Sequence, residues 1–375
     1  MSPPFARRAP GDARAAGAGA LGGERVAYRT AVLLGAPRVF ARVAVPALLT
    51  ALVGAACGGG GGSNTQSTSP ASASTPSTSA AAAPGPLRIG VAPFRLPAPV
   101  SREVLLSDGQ KLVALGGLDA TKTSTAAVTQ IDPAAGTVRA FGTLAFPVHD
   151  AAGAIVGGRY VVIGGGAASP PQRTTVQAVP SGGGTSQAIG NLPEPRADHV
   201  AALVGGTVYA LGGGQEATHL YPNVVASTDG FTWRPAGSLA QPVRYPGVAV
   251  VGGAIYLFGG VSTAQGTDTN AIQRYDPATQ TTQVVGQLPA PLSHTTAVVL
   301  DGSAYLLGGF VNNVVSGFVL RVDEPAGTIT VAGQLPAPVS DAAAAVAGGT
   351  AYLVGGQGTT SAPVDTILTL TATRR

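Results

Sequence analysis

Apolar and polar positions in this chain alternate in short blocks. After residue 60 no stretch keeps the 3.6-residue apolar period of a helix. Short apolar runs instead end at a pair of glycines: Val208-Tyr209-Ala210-Leu211, Ile255-Tyr256-Leu257-Phe258, Ala304-Tyr305-Leu306-Leu307 and Ala351-Tyr352-Leu353-Val354. Brief β-branched and aromatic runs bounded by glycine predict strands. The pairs recur at Gly116-Gly117, Gly164-Gly165, Gly212-Gly213, Gly259-Gly260, Gly308-Gly309 and Gly355-Gly356, in steps of 47 to 49 residues. A fixed period of that size is the mark of a repeat architecture.

Within each repeat the same phrase returns. A first apolar stretch, such as Ala297-Val298-Val299-Leu300, leads to Asp108-Gly109, Gly157-Gly158, Gly205-Gly206, Gly252-Gly253, Asp301-Gly302 or Gly348-Gly349. These dipeptides accept positive φ at both turn positions and predict two-residue hairpins. The strand ending at the glycine pair follows, then a polar loop, then a third strand typified by Ala271-Ile272-Gln273-Arg274-Tyr275. Asp276-Pro277-Ala278-Thr279 and Asp132-Pro133-Ala134-Ala135 predict a second hairpin, with proline setting φ and Asp bonding back to the backbone. The fourth strand ends in a proline phrase: Leu192-Pro193-Glu194-Pro195, Leu288-Pro289-Ala290-Pro291 or Leu335-Pro336-Ala337-Pro338, with looser versions at Leu144-Ala145-Phe146-Pro147 and Leu239-Ala240-Gln241-Pro242. A four-stranded sheet of small residues cannot bury both faces alone, and radial stacking of such sheets is a β-propeller. The expected fold is all-β: a six-bladed β-propeller of four-stranded antiparallel blades. Leu87 to Val100 carries a fourth-strand phrase with no strands before it, and the sixth repeat stops after its third strand. The N-terminal strand is therefore expected to close the last blade, which removes an exposed sheet edge.

The glycine pair after a Tyr-containing strand, the turn Tyr275-Asp276-Pro277 and the Pro195-Arg196 step resemble the Kelch family, over all six repeats from about residue 87 to 375. The tryptophan that follows the second hairpin in that family stands here only at Trp233.

Ahead of the repeats, the chain is expected to divide into 1–56, an N-terminal extension and signal peptide, and 57–86, a linker beginning at a lipidated cysteine. Residues 43–56 are apolar, preceded by Arg38 and Arg42, as in a signal-peptide core and too short to span a bilayer comfortably. Leu52-Val53-Gly54-Ala55-Ala56-Cys57 resembles a bacterial lipobox, and Cys57 is the chain's sole cysteine. The resemblance implies diacylglycerol on Cys57, each buried CH₂ adding about 0.8 kcal/mol of anchoring. Residues 58–85 hold only uncharged residues, mostly Gly, Ser, Thr, Ala and Pro, the composition of a flexible tether. The protein is thus expected to be exported and anchored to the cell membrane, or otherwise secreted.

Charge changes the choice of partner. The whole chain carries +4, but residues 1–56 hold seven arginines against Asp12 and Glu24, leaving fifteen basic and sixteen acidic residues beyond them. No basic stripe suits nucleic acid. One cysteine permits no internal disulfide and no thiolate metal site. No cofactor and no metal are expected, and the protein is expected to be a monomer.

Polar residues concentrate in the links and loops of one face. Three residues past each proline of the link stand Arg102, Asp150, Asp198, Tyr245, His294 and Asp341, with His149, Arg196, His199 and Arg244 nearby. The loops after the glycine pairs add Asp119, Gln215, Glu216, Asn312, Asn313 and Gln357. Loops on rigid scaffolds often carry function. The candidate ligand-binding residues are Arg102, Asp150, Arg196, Asp198, Glu216, Arg244, Tyr245, His294 and Asp341, against the alternative that such residues cap strand ends. Three histidines fall in these links without close metal-ligand spacing, so they are read as structural.

Enzymes of related fold set narrower demands. A galactose-oxidase-like copper site needs a cysteine cross-linked to tyrosine, and Cys57 lies outside the repeats. A sialidase needs several Asp boxes, and Ser227-Thr228-Asp229-Gly230-Phe231-Thr232-Trp233 supplies one shortened copy. No glycine stretch stands between a strand and a helix as a phosphate loop would. The expected role is non-catalytic binding of a protein or glycan at the cell surface through the loop rim. The alternative is a sugar-modifying enzyme such as a Kelch-type sialic-acid epimerase.

Overall fold

Five of the glycine pairs follow directly on the second strand of an antiparallel sheet built on four strands, and Gly212-Gly213 lies inside the longer strand Thr207–Gln215. The computed structural model describes residues 86–372 apart from 216–218, 263–265 and 324–326, all within the compact unit Ser77–Arg375. The first sheet joins Val104–Ser107, Leu112–Leu115, Ala127–Asp132 and Thr137–Thr143 in chain order, with the short strand Gly184–Thr185 added parallel to the last. The second joins Ala152–Val156, Arg159–Ile163, Thr175–Val179 and Gln187–Asn191, and the third Ala197–Val204, Thr207–Gln215, Asn223–Ser227 and Arg234–Ser238. The fourth joins Gly247–Val251, Ala254–Phe258, Ala271–Asp276 and Thr281–Gln287, and the fifth Thr296–Leu300, Ser303–Leu307, Phe318–Val322 and Ile329–Gln334. In the sixth, Ala343–Ala347, Thr350–Val354 and Ile367–Ala372 are completed by Leu87–Val91, with Leu87 opposite Ala372 and Val91 opposite Leu368.

Five of the expected first hairpins have two-residue loops, as between Val156 and Arg159 or Leu300 and Ser303. Asp108-Gly109 differs, because Ser107 pairs with Leu112 and the loop holds four residues. The Asp108 carboxylate accepts the N–H groups of Gln110 and Lys111 at 2.9 and 2.7 Å, which stabilises the wider turn. The second hairpins form as read: Asp132 and Asp276 each accept a backbone N–H from beyond their proline, at 3.0 Å. The segment resembling an Asp box is also a hairpin turn, where Asp229 accepts N–H groups from Phe231 and Thr232.

Apolar side chains collect between sheets. Among the described residues six buried clusters form, one at each contact from first-with-second to sixth-with-first. The sixth-with-first cluster packs Tyr352, Val354 and Ile367 on Leu105, Leu112 and Ile131. The first strands of the sheets touch in sequence, and Ala343–Ala347 returns to Val104–Ser107. Tyr275 anchors one contact: wholly buried, it donates its hydroxyl to Ala236 O at 2.6 Å. A buried aromatic of this kind finds a partner for its polar tip.

The glycine pairs hold the links. The N–H of Gly260 donates to Leu292 O at 2.8 Å, and that of Gly356 to Val100 O at 2.9 Å. A Cβ on the preceding Gly259 or Gly355 would stand 2.1 or 2.5 Å from the same carbonyl. Only a residue without a Cβ allows this approach at positive φ.

Candidate functional site

Two residues beyond each of those clasped carbonyls the backbone turns left-handed. Arg102, Asp150, Asp198, Tyr245, His294 and Asp341 have φ of 59°, 51°, 61°, 54°, 51° and 54°. Their backbones form a closed circuit. Asp150 N–H donates to Arg102 O (3.0 Å), Asp198 to Asp150 (2.9 Å), Tyr245 to Asp198 (2.9 Å), His294 to Tyr245 (3.0 Å), Asp341 to His294 (3.1 Å) and Arg102 to Asp341 (2.8 Å). Left-handed non-glycine residues cost of order 1 kcal/mol each, and Asp, which tolerates that region better than most, fills half the circuit.

The side chains of the circuit meet over its centre. Arg102 and Tyr245 stand three steps apart in either direction, and Arg102 Nη1 lies 3.3 Å from the Tyr245 hydroxyl. The same Nη1 donates to Asp150 Oδ2 at 3.0 Å, while Nε is 3.3 Å from Asp341 Oδ1 as an ion pair without hydrogen-bond alignment. The Tyr245 hydroxyl also reaches Asp150 Oδ2 at 3.4 Å, and its ring stacks on His294 with centroids 3.9 Å apart. Arg244 Nη1 pairs with Asp198 Oδ2 at 3.4 Å.

These contacts set the protonation states. Burial opposes the charge of Arg102, but Asp150, Asp341 and Tyr245 outweigh it and hold the guanidinium above its usual range. Burial, then the charge of Asp150, pushes the Asp198 carboxyl up to about 7, against a hydrogen bond from Tyr245 and the charge of Arg244. Burial raises Asp341 as well, partly offset by Arg102 and a hydrogen bond from Ser340. Burial, with help from Arg102, brings His294 down to about 3. Burial also lowers His149, whose Nδ1 is 2.8 Å from Ser124 Oγ.

The cavity left at this mouth is about 130 Å³. Below it a second space of about 190 Å³ runs along the first strands of the sheets, and Glu103 and His199 line both. Glu103 is buried, and neither carboxyl oxygen makes a well-aligned hydrogen bond. Burial raises its carboxyl far above the usual range, and the backbone of Glu103 and Ala343 offsets this only in part. His199, brought down to about 3 by burial and then by Arg196, also lacks a partner on either ring nitrogen among the described residues.

The candidate residues of the sequence therefore separate into three groups. Arg102, Asp150, Asp198, Arg244, Tyr245, His294 and Asp341 converge at the mouth. Arg196 does not join them. It is 1% exposed, donates to Gly212 O, Asn223 O and Asn223 Oδ1, and lies over the Tyr221 ring. Glu216 lies outside the described residues, as does Cys57 with the leader and most of the linker. Glu103 was not singled out by sequence. Its one signal is a carboxyl set directly between Arg102 and the apolar run Val104-Leu105-Leu106. Among the described residues no group of three or more His, Cys, Asp and Glu is placed to hold a metal ion.

Comparison with known proteins bears on the fold. Residues 242–281 match the Kelch motif family. Among solved structures, the chain is similar to one titled "Structure of YjhT", with 16% sequence identity and a TM-score of 0.63, over 74% of this chain and 98% of that one. No curated protein matches. Together with the antiparallel four-stranded sheets, these similarities support a Kelch-repeat protein of β-propeller type.

Proposed function

We propose that the six sheets are the blades of one closed propeller sealed by Leu87–Val91, and that it serves as a non-catalytic binding scaffold. In this reading it is exported, anchored through Cys57, and meets a protein or glycan partner with the loops around its mouth. The observation that carries the binding role is the filled centre. Arg102 and Arg244 spend their charge on Asp150, Asp341 and Asp198. The space left is about 130 Å³, while small-molecule sites usually offer about 300 Å³ or more. Recognition then falls to the surrounding loops, where Asn312 and Asn313 are exposed and Asp119 and Gln357 half-buried. A rim pre-organised by rigid sheets binds with little ordering cost.

Simultaneous alanine replacement of Asp119, Asn312, Asn313 and Gln357 tests the reading against a glycan array and a panel of envelope proteins. Loss of a wild-type interaction with unchanged stability supports it; an interaction that survives intact contradicts it. The alternative, a sugar-modifying enzyme, draws on Asp198. A carboxyl raised to about 7 sits in the range suited to a general acid or base. Turnover of a sugar that vanishes in Asp198→Asn would favour that reading.

A further inference from the structure

One loop of the first sheet meets one link of the second through a serine and a histidine. Ser124 Oγ lies 2.8 Å from His149 Nδ1. The two positions are fixed by backbone bridges: Leu118 pairs with Ser101 on one side and Ser124 on the other, as Gly166 does with His149 and Gln172 in the next repeat. Where the same bridges recur, the facing positions hold Gln172 with Ala197, Asp268 with Ser293, and Pro363 with Ser101. Asp268 and Ser293 share a hydrogen bond that holds the loop to the link. Only the contact between the first and second sheets sets a hydroxyl against an imidazole at these positions.

Both residues are half-buried, so solvent reaches them. The imidazole lies over Gly166, where a Cβ would stand 2.7 Å from Nε2. Burial, opposed by Asp150 and helped by Arg102, lowers His149 below its ordinary value, so the ring is neutral near pH 7 and able to accept a proton. With the lone pair on Nδ1 facing Ser124, the N–H stands on Nε2, 3.7 Å from Asp150 Oδ2. That is too far for a hydrogen bond, and the carboxylate favours the N–H on its side through charge. A nucleophile, a base within hydrogen-bond reach and a third group behind the base make up the pattern of an activated serine. The backbone adds a donor. Asp119 N–H donates to Thr123 O and Thr125 N–H to Gly117 O, so Leu118 and Ser124 form a pair without mutual hydrogen bonds and the Ser124 N–H points away from the bridge. It has no acceptor among the described residues. Serine proteases use the nucleophile's own N–H to hold the oxyanion.

We propose that Ser124 is a nucleophilic serine, activated by His149, that captures the acyl group of a small ester. In this step the bond from Ser124 Oγ to the carbonyl carbon forms and the ester C–O bond breaks. The hydroxyl proton passes to His149 Nδ1 and from there to the departing alcohol. His149 is the general base, and Asp150 is a positioning residue. The loop that ends at Ser124 is polar and pinned: Asp119 Oδ1 accepts the N–H groups of Thr121 and Thr123 at 2.8 and 3.0 Å and the Thr121 hydroxyl at 2.6 Å. It gives a long acyl chain no apolar wall, so the fitting group is of acetyl size. Capture ends at the acyl-serine and needs no turnover, and it rests on none of the contacts that close the mouth.

The test treats the folded protein with two probes, diisopropyl fluorophosphate, which modifies nucleophilic serines with loss of fluoride, and p-nitrophenyl acetate. Peptide mapping by mass spectrometry is expected to place a single diisopropylphosphoryl or acetyl group on Ser124. Ser124→Ala is expected to remove both labels. His149→Gln keeps a polar side chain without the base and is expected to slow labelling about a hundredfold, the contribution of a general base. No modification at Ser124, labels on other residues only, or an undiminished rate in a folded His149→Gln variant would each overturn the proposal. Mapping on the unaltered protein decides the matter even if a variant fails to fold. A rim interaction that persists beside an unreactive Ser124 would overturn this inference and leave the binding role standing.

Discussion

The guanidinium of Arg102 and the hydroxyl of Tyr245 meet at 3.3 Å although 143 residues separate them. They stand at opposite points of the hydrogen-bonded circuit, so their contact spans the mouth. Arg102 is the more heavily committed, being the shared partner of two buried carboxylates. Arg102→Met keeps the bulk and removes the charge, leaving Asp150 and Asp341 unpaired. The expected loss is about 3 kcal/mol in urea unfolding. Tyr245→Phe keeps the stack on His294 and removes one hydroxyl, for about 1 kcal/mol. Equal costs for the two variants would contradict this ranking.

Asp198 makes stability depend on pH in a defined sense. Its folded carboxyl is raised to about 7, against an ordinary value of 3.8. The folded state then binds a proton that the unfolded state has released. This contribution to stability is fully present below the unfolded value and is lost as pH rises through the folded one. His199 and His294, both down to about 3, act the other way: their contribution is present above their ordinary value of 6.5 and is lost as pH falls toward 3. Asp198→Asn isolates the first effect. The difference in unfolding free energy between wild type and this variant is expected to change steadily from about pH 4 to pH 7. A difference independent of pH would refute the raised carboxyl.

The buried glutamines carry a stability prediction of their own. Gln273 accepts Gln241 N–H and donates to Gln241 O at 2.9 and 3.0 Å, as Gln177 does with the N–H and O of Phe146, and Gln273→Leu leaves the Gln241 peptide groups without partners. The expected cost is about 1–3 kcal/mol, read as a lower midpoint in urea. Gln177→Leu is expected to cost at least as much, because Ser186 Oγ also donates to Gln177 Oε1 at 2.7 Å. An unchanged midpoint in both variants would mean that these clasps contribute nothing.

Arg196 separates packing from recognition. Its guanidinium bonds two backbone carbonyls and Asn223 in the interior. Arg196→Met is expected to lose about 1–3 kcal/mol of stability, while the folded fraction keeps its affinity for any rim partner. A selective loss of binding at full stability would instead put Arg196 in the recognition surface.

Backbone features were legible in the chain, and side-chain direction was not. The glycine pairs, the hairpin dipeptides and the link prolines each impose a local backbone geometry, so they located the strands, the turns and the six circuit positions. The Asp108 turn went astray because a side-chain carboxylate, not the dipeptide alone, sets its width. Arg102, Arg196 and Arg244 look alike in sequence, each near a link proline. Arg102 lies in the circuit, Arg244 precedes it by one residue, and Arg196 precedes it by two and folds back over Tyr221. Which side chain faces the mouth depends on neighbours from other repeats, and no local spacing encodes them. Glu103 was missed for the same reason: its burial is created by the sixth sheet, whose Gly355 lies against its carboxyl.

The most direct test of the closed architecture is hydrogen exchange at the Arg102 amide, which donates to Asp341 where the last sheet meets the first. If Leu87–Val91 and the circuit seal the ring, this amide exchanges only through global unfolding, as slowly as those of Asp150, Asp198, Tyr245, His294 and Asp341. Exchange at Arg102 markedly faster than at the other five would mean that the ring stands open between the sixth sheet and the first.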